Sequence, residues 1–214
     1  MSHIPDPSDA SLFVSLTDLI PSLILEIRYY SSYNFVGERI DGYHAPIALM
    51  TREGAEALKG VADRLLDDGL LLRVYDAYRP QAAVDHFVRW AEDTSDLRMK
   101  PYFYPEIDKH RLFDLGFIAR RSGHTRGSTV DLTLFDMKTG KDLDMGGPFD
   151  FFGDVSRSDY TGLSEDQLSN RLRLKNAMVS GGFRPYIGEW WHFTLSGEPY
   201  PDTYFTFPVA PPVA

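Results

Sequence analysis

Residues 128–135 alternate between apolar and polar side chains, and this alternation constrains the fold more than any other feature of the chain. Positions 130, 132 and 134 are Val or Leu, whereas positions 129, 131 and 133 are Thr or Asp. Successive side chains of a β-strand point to opposite faces, so the pattern predicts a strand with one buried face. Asp131 should lie on the other face, away from the apolar core.

Apolar patterns elsewhere predict further strands and helices. The additional strands are predicted at 23–30, 70–75 and 190–195. The helices are predicted at 51–68 with Thr51 as N-cap, from Pro80 onward, and at 164–180 behind a capping box. These elements follow one another without regular βαβ alternation, which favours an α+β fold with a mainly antiparallel sheet.

The chain length and the even composition predict a single domain over residues 1–214. Residues 1–18 are expected to form an N-terminal arm, and about 200–214 a Pro-rich C-terminal tail. The segment 95–121 contains two prolines and shows little periodicity. A long connection of this kind is often a functional loop or a lid.

Charge and cysteine content exclude several classes of function. The formal net charge of −9 argues against nucleic acid or an anionic membrane as the main partner, because both bind basic patches. The absence of cysteine excludes disulfides and Cys ligands, so a metal site must use His and carboxylates. No secretory signal or membrane span is visible in the sequence, and we therefore expect a cytoplasmic protein.

Two of the six histidines stand near carboxylates. His124 lies in a Gly-flanked turn ahead of the strand that carries Asp131, so the pair could bind a metal ion or form a hydrogen bond that staples a loop. His192 follows Glu189 by three residues. These two can share a site if a turn or bulge lies near Glu189, which Gly188 makes plausible. The alternative is a strand edge with an incidental histidine.

The combined inventory of two His, one Asp and one further Glu fits a catalytic zinc site. Such a site has three protein ligands and an open position, often beside a carboxylate that accepts a proton from water. Trp190 and Trp191 are expected to form a dry wall around the metal. Arg79, in the segment 76–80 at a strand end, could stabilise the oxyanion of a tetrahedral intermediate or form a surface salt bridge.

These motifs, in this order, resemble the zinc peptidases that act on D-alanyl-D-alanine bonds, and most closely the VanX-type D-alanyl-D-alanine dipeptidases. The matching segments are 76–80 (Asp-Ala-Tyr-Arg-Pro), 122–128 (Ser-Gly-His-Thr-Arg-Gly-Ser), 144–150 (Asp-Met-Gly-Gly-Pro-Phe-Asp) and 189–192 (Glu-Trp-Trp-His). The resemblance extends from about residue 18 to 200. It implies a central antiparallel sheet with flanking helices and a single catalytic domain.

The resemblance also implies roles in catalysis. His124, Asp131 and His192 match the ligands of one zinc ion per chain. Glu189 matches the general base, and Arg79 matches the residue that stabilises the intermediate.

The substrate implied by the resemblance is a small dipeptide, which is hydrolysed to two D-alanines. Ser122, Asp150 and Tyr29 match positions near the dipeptide, with Asp150 as the candidate partner of the substrate ammonium. From their length and position alone, we also expect the segments 95–121 and 144–154 to cover the site, so that longer peptidoglycan stems are rejected.

Two other functions compete with this one. A zinc D,D-carboxypeptidase or endopeptidase acting on peptidoglycan stem peptides would share the metal site, but it would need an open cleft. A zinc-stabilised binding module would need no catalysis, and the presence of both Glu189 and Arg79 argues against it. The other four histidines, at positions 3, 44, 86 and 110, are expected to be structural or solvated.

Overall fold

The computed structural model describes residues 5–211, and the structural statements below refer to that part of the chain. The strands are β1 (Phe13–Ser15), β2 (Ile24–Leu25), β3 (Leu49–Thr51), β4 (Leu70–Asp76), β5 (Thr129–Asp136), β6 (Lys141–Asp142), β7 (Phe183–Tyr186) and β8 (Glu189–Leu195). The helices are α1 (Leu16–Leu19), α2 (Arg52–Asp67), α3 (Gln81–Glu92), α4 (Lys100–Phe103) and α5 (Glu165–Ser180).

The main sheet has the strand order β2-β4-β5-β8-β7, and β6 pairs with the end of β5. The β2–β4 pair is parallel, whereas the other pairs of this sheet are antiparallel. β1 and β3 form a separate antiparallel pair. The predicted α+β fold with a mainly antiparallel sheet and flanking helices is confirmed. None of the helices between residues 5 and 211 is long and apolar enough to cross a membrane.

The helix boundaries follow the local capping signals. The Thr51 hydroxyl accepts a hydrogen bond from the Gly54 amide at 3.4 Å at the start of α2. Ser164 and Gln167 form a reciprocal capping box at the start of α5. Each cap gives a partner to backbone N–H groups that the first helical turn leaves unpaired. The three helices predicted from the sequence are therefore found close to their expected limits.

The strand predicted at 23–30 is wrong over most of its length. Two residues form β2, and Arg28–Tyr30 forms a turn of 3-10 helix. The Asn34 side-chain amide donates to the carbonyls of Ser31 and Glu38, both at 2.8 Å. These bonds fold the chain into a compact loop directly after the turn, so an apolar composition at 23–30 does not produce a continuous strand.

The prediction that β5 has one buried face is also wrong. Val130, Leu132 and Leu134 are fully buried, as expected, but Thr129 and Asp131 on the polar face are at most 2% exposed. On that face Arg79, from the loop after β4, lies 3.5 Å from Asp131, and Thr133 lines a cavity together with Leu143 and Met145 from the loop after β6. Polar residues on this strand therefore mark a buried site rather than a solvated surface.

Parts of the predicted arm and tail are packed against the core. Within 1–18, Phe13 lies in β1 and is 8% exposed. Within 200–214, Phe205 and Phe207 are buried, and both rings contact Phe13 at centroid distances of 4.8 Å. Burial of these rings ties both ends of the described chain to the domain.

Gly127 ends the turn that carries His124, and its backbone has φ +84°. L-residues rarely adopt this conformation, and a Cβ atom here would overlap the Phe13 ring. Gly140 also has a positive φ, of 68°, but its surroundings are open. Substitution of either glycine by alanine would strain the backbone, but only at Gly127 would the new Cβ atom also overlap a neighbouring side chain.

We predict that Gly127→Ala lowers the free energy of unfolding by about 3 kcal/mol, the sum of a left-handed backbone and overpacking. Gly140→Ala, the matched control, should lower it by about 1–2 kcal/mol from backbone strain alone. Urea denaturation of both variants measures the difference. Equal losses would contradict the claim that Phe13 packs directly against this turn.

Candidate metal centre

Three neighbouring strands of the sheet place polar residues in one row. Asp131 in the central β5 is paired with Asp76 of β4 on one side and with His192 of β8 on the other. His124 reaches the same point from the 3-10 turn Gly123–Arg126, directly before β5. The rigid part of the fold thus positions three of these side chains, and a short capped turn positions the fourth.

The ligand atoms of His124, Asp131 and His192 all lie within 4.8 Å of one another. His124 Nε2 is 3.2 Å from Asp131 Oδ2, and His192 Nδ1 is 3.1 Å from Asp131 Oδ1. The two imidazole nitrogens are 3.3 Å apart. Two imidazoles and one carboxylate that converge in this way can hold a divalent metal ion and leave a position open.

The second ring nitrogen of His124 fixes its protonation. His124 Nδ1 lies 2.7 Å from the carbonyl oxygen of Ala77, an acceptor to which a ring N–H donates. The proton is therefore placed on Nδ1, and the lone pair of Nε2 points toward Asp131. Burial, opposed by Asp131, lowers the pKa of His124, which favours the neutral ring that a metal requires.

Asp131 has the features of an anionic metal ligand. Burial alone would raise its pKa, but His124 and His192 outweigh that effect and the pKa lies below its ordinary value. Its Oδ1 atom is buried and, among residues 5–211, accepts no hydrogen bond, although His192 Nδ1 lies 3.1 Å away. A buried charge of this kind is stable when it is paired or coordinates a metal. The residues present therefore fit a bound metal ion.

Glu189 lies beside this group without belonging to it. Its Oε2 atom is 3.4 Å from His192 Nδ1, and its side chain keeps 27% exposure. The register of the β7–β8 pairing shifts between Pro185 and Tyr186, and Tyr186 is paired with Glu189. This irregularity confirms the bulge predicted near Glu189. Burial and the negative charge of Asp131 raise the pKa of Glu189, opposed by His192.

Arg79 is fixed by a buried network. Its Nε donates to Asp76 Oδ2 at 2.8 Å, and Nη2 lies 3.5 Å from Asp131 Oδ2. The Tyr43 hydroxyl donates to the other oxygen of Asp76 at 2.5 Å. The guanidinium also stacks 4.9 Å above the Tyr29 ring. Arg79 is therefore held in place inside the site, and the surface salt bridge considered from the sequence does not form.

A cavity of about 230 Å³ opens above the side chains of His124, Asp131, Glu189 and His192. Its walls include residues 116–119 from the long connection after α3 and Asp150 and Phe152 from the loop after β6. Tyr186 closes another side and stands edge-on to His192 at 5.5 Å. Both segments expected to cover the site therefore line it.

The three predicted substrate-binding residues also line this cavity. The Tyr29 hydroxyl donates to Asp150 Oδ2 at 2.9 Å. Burial, reinforced by the negative charge of Asp131, raises the pKa of Asp150 well above its ordinary value. Ser122 uses its hydroxyl to accept from the His124 amide at 3.2 Å, which caps the ligand turn. Asp150 is thus a buried carboxyl group at the cavity wall.

The expected wall of Trp190 and Trp191 around the metal is wrong. Neither residue lines the cavity. Trp191 packs edge-on against Phe149 at 5.3 Å, and Trp190 lies near the Arg171 guanidinium at 5.7 Å. His192 alternates with its neighbours along β8, so Trp191 points to the opposite face of the sheet. The dry side of the cavity is formed by Phe residues instead.

Two residues of the site had no assigned role in the sequence. Asp76 and Tyr43 form the support of Arg79, and Asp76 Oδ2 also lies 3.6 Å from His124 Nδ1. Asp76 belongs to the motif of residues 76–80 and precedes Arg79 by three residues. This spacing is the sequence signal from which the Asp76–Arg79 contact could have been predicted. Tyr43 lies in a loop far away in sequence, where the sequence gives no indication of the contact.

The other histidines in the described part of the chain lie apart from this group. His86 contacts Glu38 and Asp41 at 3.3 and 3.5 Å, and His44 and His110 are exposed. His3 lies outside the described residues.

Comparison with known proteins gives a consistent match over nearly the whole chain. The family model for peptidase M15, described as D-ala-D-ala dipeptidase, matches residues 9–210. A D-alanyl-D-alanine dipeptidase of Streptomyces coelicolor is 41% identical over 198 residues, which cover 92% of this chain and 98% of the relative. One from Enterococcus faecalis is 38% identical with the same coverage. One from Escherichia coli is 32% identical over 88% of this chain and 86% of the relative.

We predict that the His124→Ala and Asp131→Ala variants bind a divalent metal ion at least about 100-fold more weakly, because each loses one of three ligands. Protein freed of metal with a chelator and titrated with zinc in a calorimeter gives the affinities. His110→Ala, which removes an exposed histidine, should bind as the wild type does. Unchanged zinc affinity in both ligand variants would exclude this cluster as the metal site.

Proposed function

The chain belongs to the peptidase M15 family of D-Ala-D-Ala dipeptidases, and we propose that this metallopeptidase hydrolyses free D-alanyl-D-alanine to two D-alanines with one zinc ion per chain. The proposed ligands are His124, Asp131 and His192. The observation that carries the proposal is their convergence on one point, beside a carboxylate outside the group and inside a small cavity. The ligand set contains no sulfur, which is common in catalytic zinc sites with an open position.

A bound zinc ion would supply Lewis acidity, lowering the pKa of water and polarising the substrate carbonyl. Glu189 would act as the general base. Its carboxylate lies 3.4 Å from His192 Nδ1 and faces the cavity, so it can accept the proton of an attacking water and return it to the leaving amine.

Arg79 would stabilise the negative oxygen that develops during attack. Asp76 accepts the Nε hydrogen of Arg79, so the terminal guanidinium nitrogens can donate to the substrate. The Tyr43–Asp76–Arg79 network and the contact with Tyr29 fix the guanidinium before the substrate arrives. Preorganised donors of this kind stabilise a transition state without reorganisation during the reaction.

Asp150 would bind the ammonium group of the dipeptide. Its carboxyl group is buried at the cavity wall, and burial and the negative charge of Asp131 raise its pKa, so a positive charge placed against it would stabilise the carboxylate. A substrate ammonium would supply that charge, and Tyr29 would hold the carboxylate in place through its hydroxyl. Ser122 contributes indirectly, through the turn that carries His124, and also lines the cavity.

The small cavity favours a free dipeptide over a peptidoglycan stem, because the covering segments leave little room beyond two residues. We predict that kcat/KM for D-Ala-D-Ala exceeds that for a pentapeptide stem ending in the same residues by at least about 100-fold. Steady-state assays of D-alanine release compare the two. Comparable values would favour a D,D-carboxypeptidase acting on stem peptides and would reject the dipeptidase proposal.

We predict that Glu189→Gln lowers kcat about 10²- to 10⁴-fold, the usual contribution of a general base, while the variant keeps one zinc ion per chain. Dipeptide turnover and metal analysis of the same sample give both quantities. Glu106→Gln, which alters an exposed glutamate, is the matched control and should show wild-type turnover. A Glu189→Gln variant with normal kcat would remove Glu189 from the mechanism.

A further inference from the structure

A buried arginine outside the cavity is joined to the loop that carries Asp150. Arg171 lies in α5 and is 6% exposed. Its Nε donates to the carbonyl of Met145 at 2.6 Å, Nη2 to that of Val155 at 2.7 Å and Nη1 to that of Arg157 at 2.9 Å. The guanidinium therefore contacts both ends of the loop 145–157, and Asp150 lies in the middle of this loop.

We infer that Arg171 is a positioning residue, which fixes the loop 145–157 from a helix and thereby holds Asp150 in the geometry that binds the substrate ammonium. This inference rests on the proposed function, because it assigns to Arg171 the support of a residue that the proposal places against the dipeptide. Arg171 itself would not contact the substrate, since it does not line the catalytic cavity.

The partners of Arg171 distinguish it from an ordinary ion pair. Its guanidinium donates to three backbone carbonyls and, among the described residues, forms no salt bridge with a carboxylate. The nearby Asp144 forms hydrogen bonds with other groups. One of its carboxylate oxygens accepts a hydrogen bond from the Gly146 amide, and the other accepts one from the Gln167 side chain. Burial lowers the pKa of Arg171 to about 10, consistent with a charge removed from water without a counter-ion. Burial of the Arg171 charge without a counter-ion is unfavourable. The hydrogen bonds of its guanidinium to the three loop carbonyls give a reason for an arginine at this position.

The loop needs external support because Asp150 has a strained backbone. Its φ is 61°, in the left-handed region that non-glycine residues seldom adopt. Such a conformation persists when surrounding contacts determine it more strongly than the local preference does. Asn170 adds one such contact on the same helix, donating to the Asp144 carbonyl at 2.9 Å. On the far side of Asp150, the Phe152 amide donates to the Phe103 carbonyl at 2.7 Å.

The geometry also explains why the residue is arginine. Three carbonyl oxygens on different parts of the loop are reached by three separate nitrogens of one planar group. Lysine carries a compact ammonium at one point and cannot span these acceptors. A lysine at position 171 should therefore keep the charge but lose the fixation of the loop.

The test compares Arg171→Met and Arg171→Lys with Arg173→Met, all as full-length, zinc-loaded protein. Arg173 lies on the same helix but is 47% exposed and pairs with Asp68 at 3.2 Å. In both Arg171 variants we expect KM for D-Ala-D-Ala to rise on the order of tenfold or more, with kcat reduced less and zinc content unchanged. Amide hydrogen exchange of residues 145–157 should accelerate in both. Arg173→Met should match the wild type in all these readouts.

A substrate without an ammonium isolates the role of Asp150. For N-acetylated D-Ala-D-Ala, the ratio of kcat/KM between wild type and Arg171→Lys should be close to one, because there is no ammonium for Asp150 to bind. If Arg171→Met does not fold, Arg171→Lys decides the matter by the same readouts. Wild-type KM and wild-type exchange in Arg171→Lys would overturn the inference. A wild-type enzyme that fails to hydrolyse the dipeptide would instead reject the proposed function, and the exchange data would still test the fixation of the loop.

Discussion

The structure depends on a carboxylate that is buried between two imidazoles at the centre of the sheet. Asp131 is 2% exposed, lies on β5 between β4 and β8, and stands 3.2 and 3.1 Å from the nitrogens of His124 and His192. Removal of such a charge from water is costly unless positive groups surround it. Arg79 Nη2 lies 3.5 Å from Asp131 Oδ2, His124 and His192 hold the pKa of Asp131 below its ordinary value, and the three residues together fit a bound metal ion.

The sheet and the loops contribute different residues to the site. β5 and β8 carry two of the proposed ligands in direct register, so their separation is set by backbone pairing. The substrate side of the cavity comes from long loops, which lack such pairing. One of them is fixed by Arg171, as described above. The other contains Lys109, which is 3% exposed, donates to the carbonyls of Asp93 and Asp96 at 2.7 and 2.9 Å, and lies 4.0 Å from the Trp90 ring centre. In both cases a buried cation donates to backbone carbonyl oxygens of a segment that lines the cavity or leads into it.

The sequence predicted the elements whose signals are local. The cap at Thr51, the capping box of α5 and the extended conformation of β5 depend on residues close in sequence, and the structure contains all three. The convergence of His124, Asp131 and His192 was also expected, although the resemblance to known peptidases, rather than spacing, selected them as ligands.

The sequence failed where distant contacts decide the structure. The polar residues Thr129 and Asp131 of β5 are buried by segments that are distant in sequence. Trp191 faces Phe149 because side chains alternate between the two faces of β8. Neither the burial nor the contact with Phe149 is visible in local periodicity. The same holds for Tyr43 and Arg171, whose partners lie 33 residues away and 14 to 26 residues away, respectively. These supports appear when the whole chain is folded, since they join segments that no sequence pattern connects.

We propose that His124, Asp131 and His192 hold the catalytic metal while Glu189 remains outside its ligand set. A crystal structure of the zinc-loaded protein with anomalous data at the zinc edge tests it most directly. We expect one zinc peak within about 2.0–2.2 Å of His124 Nε2, His192 Nδ1 and an Asp131 carboxylate oxygen. A zinc ion bound elsewhere, or a site in which Glu189 replaces Asp131 as a ligand, would contradict it.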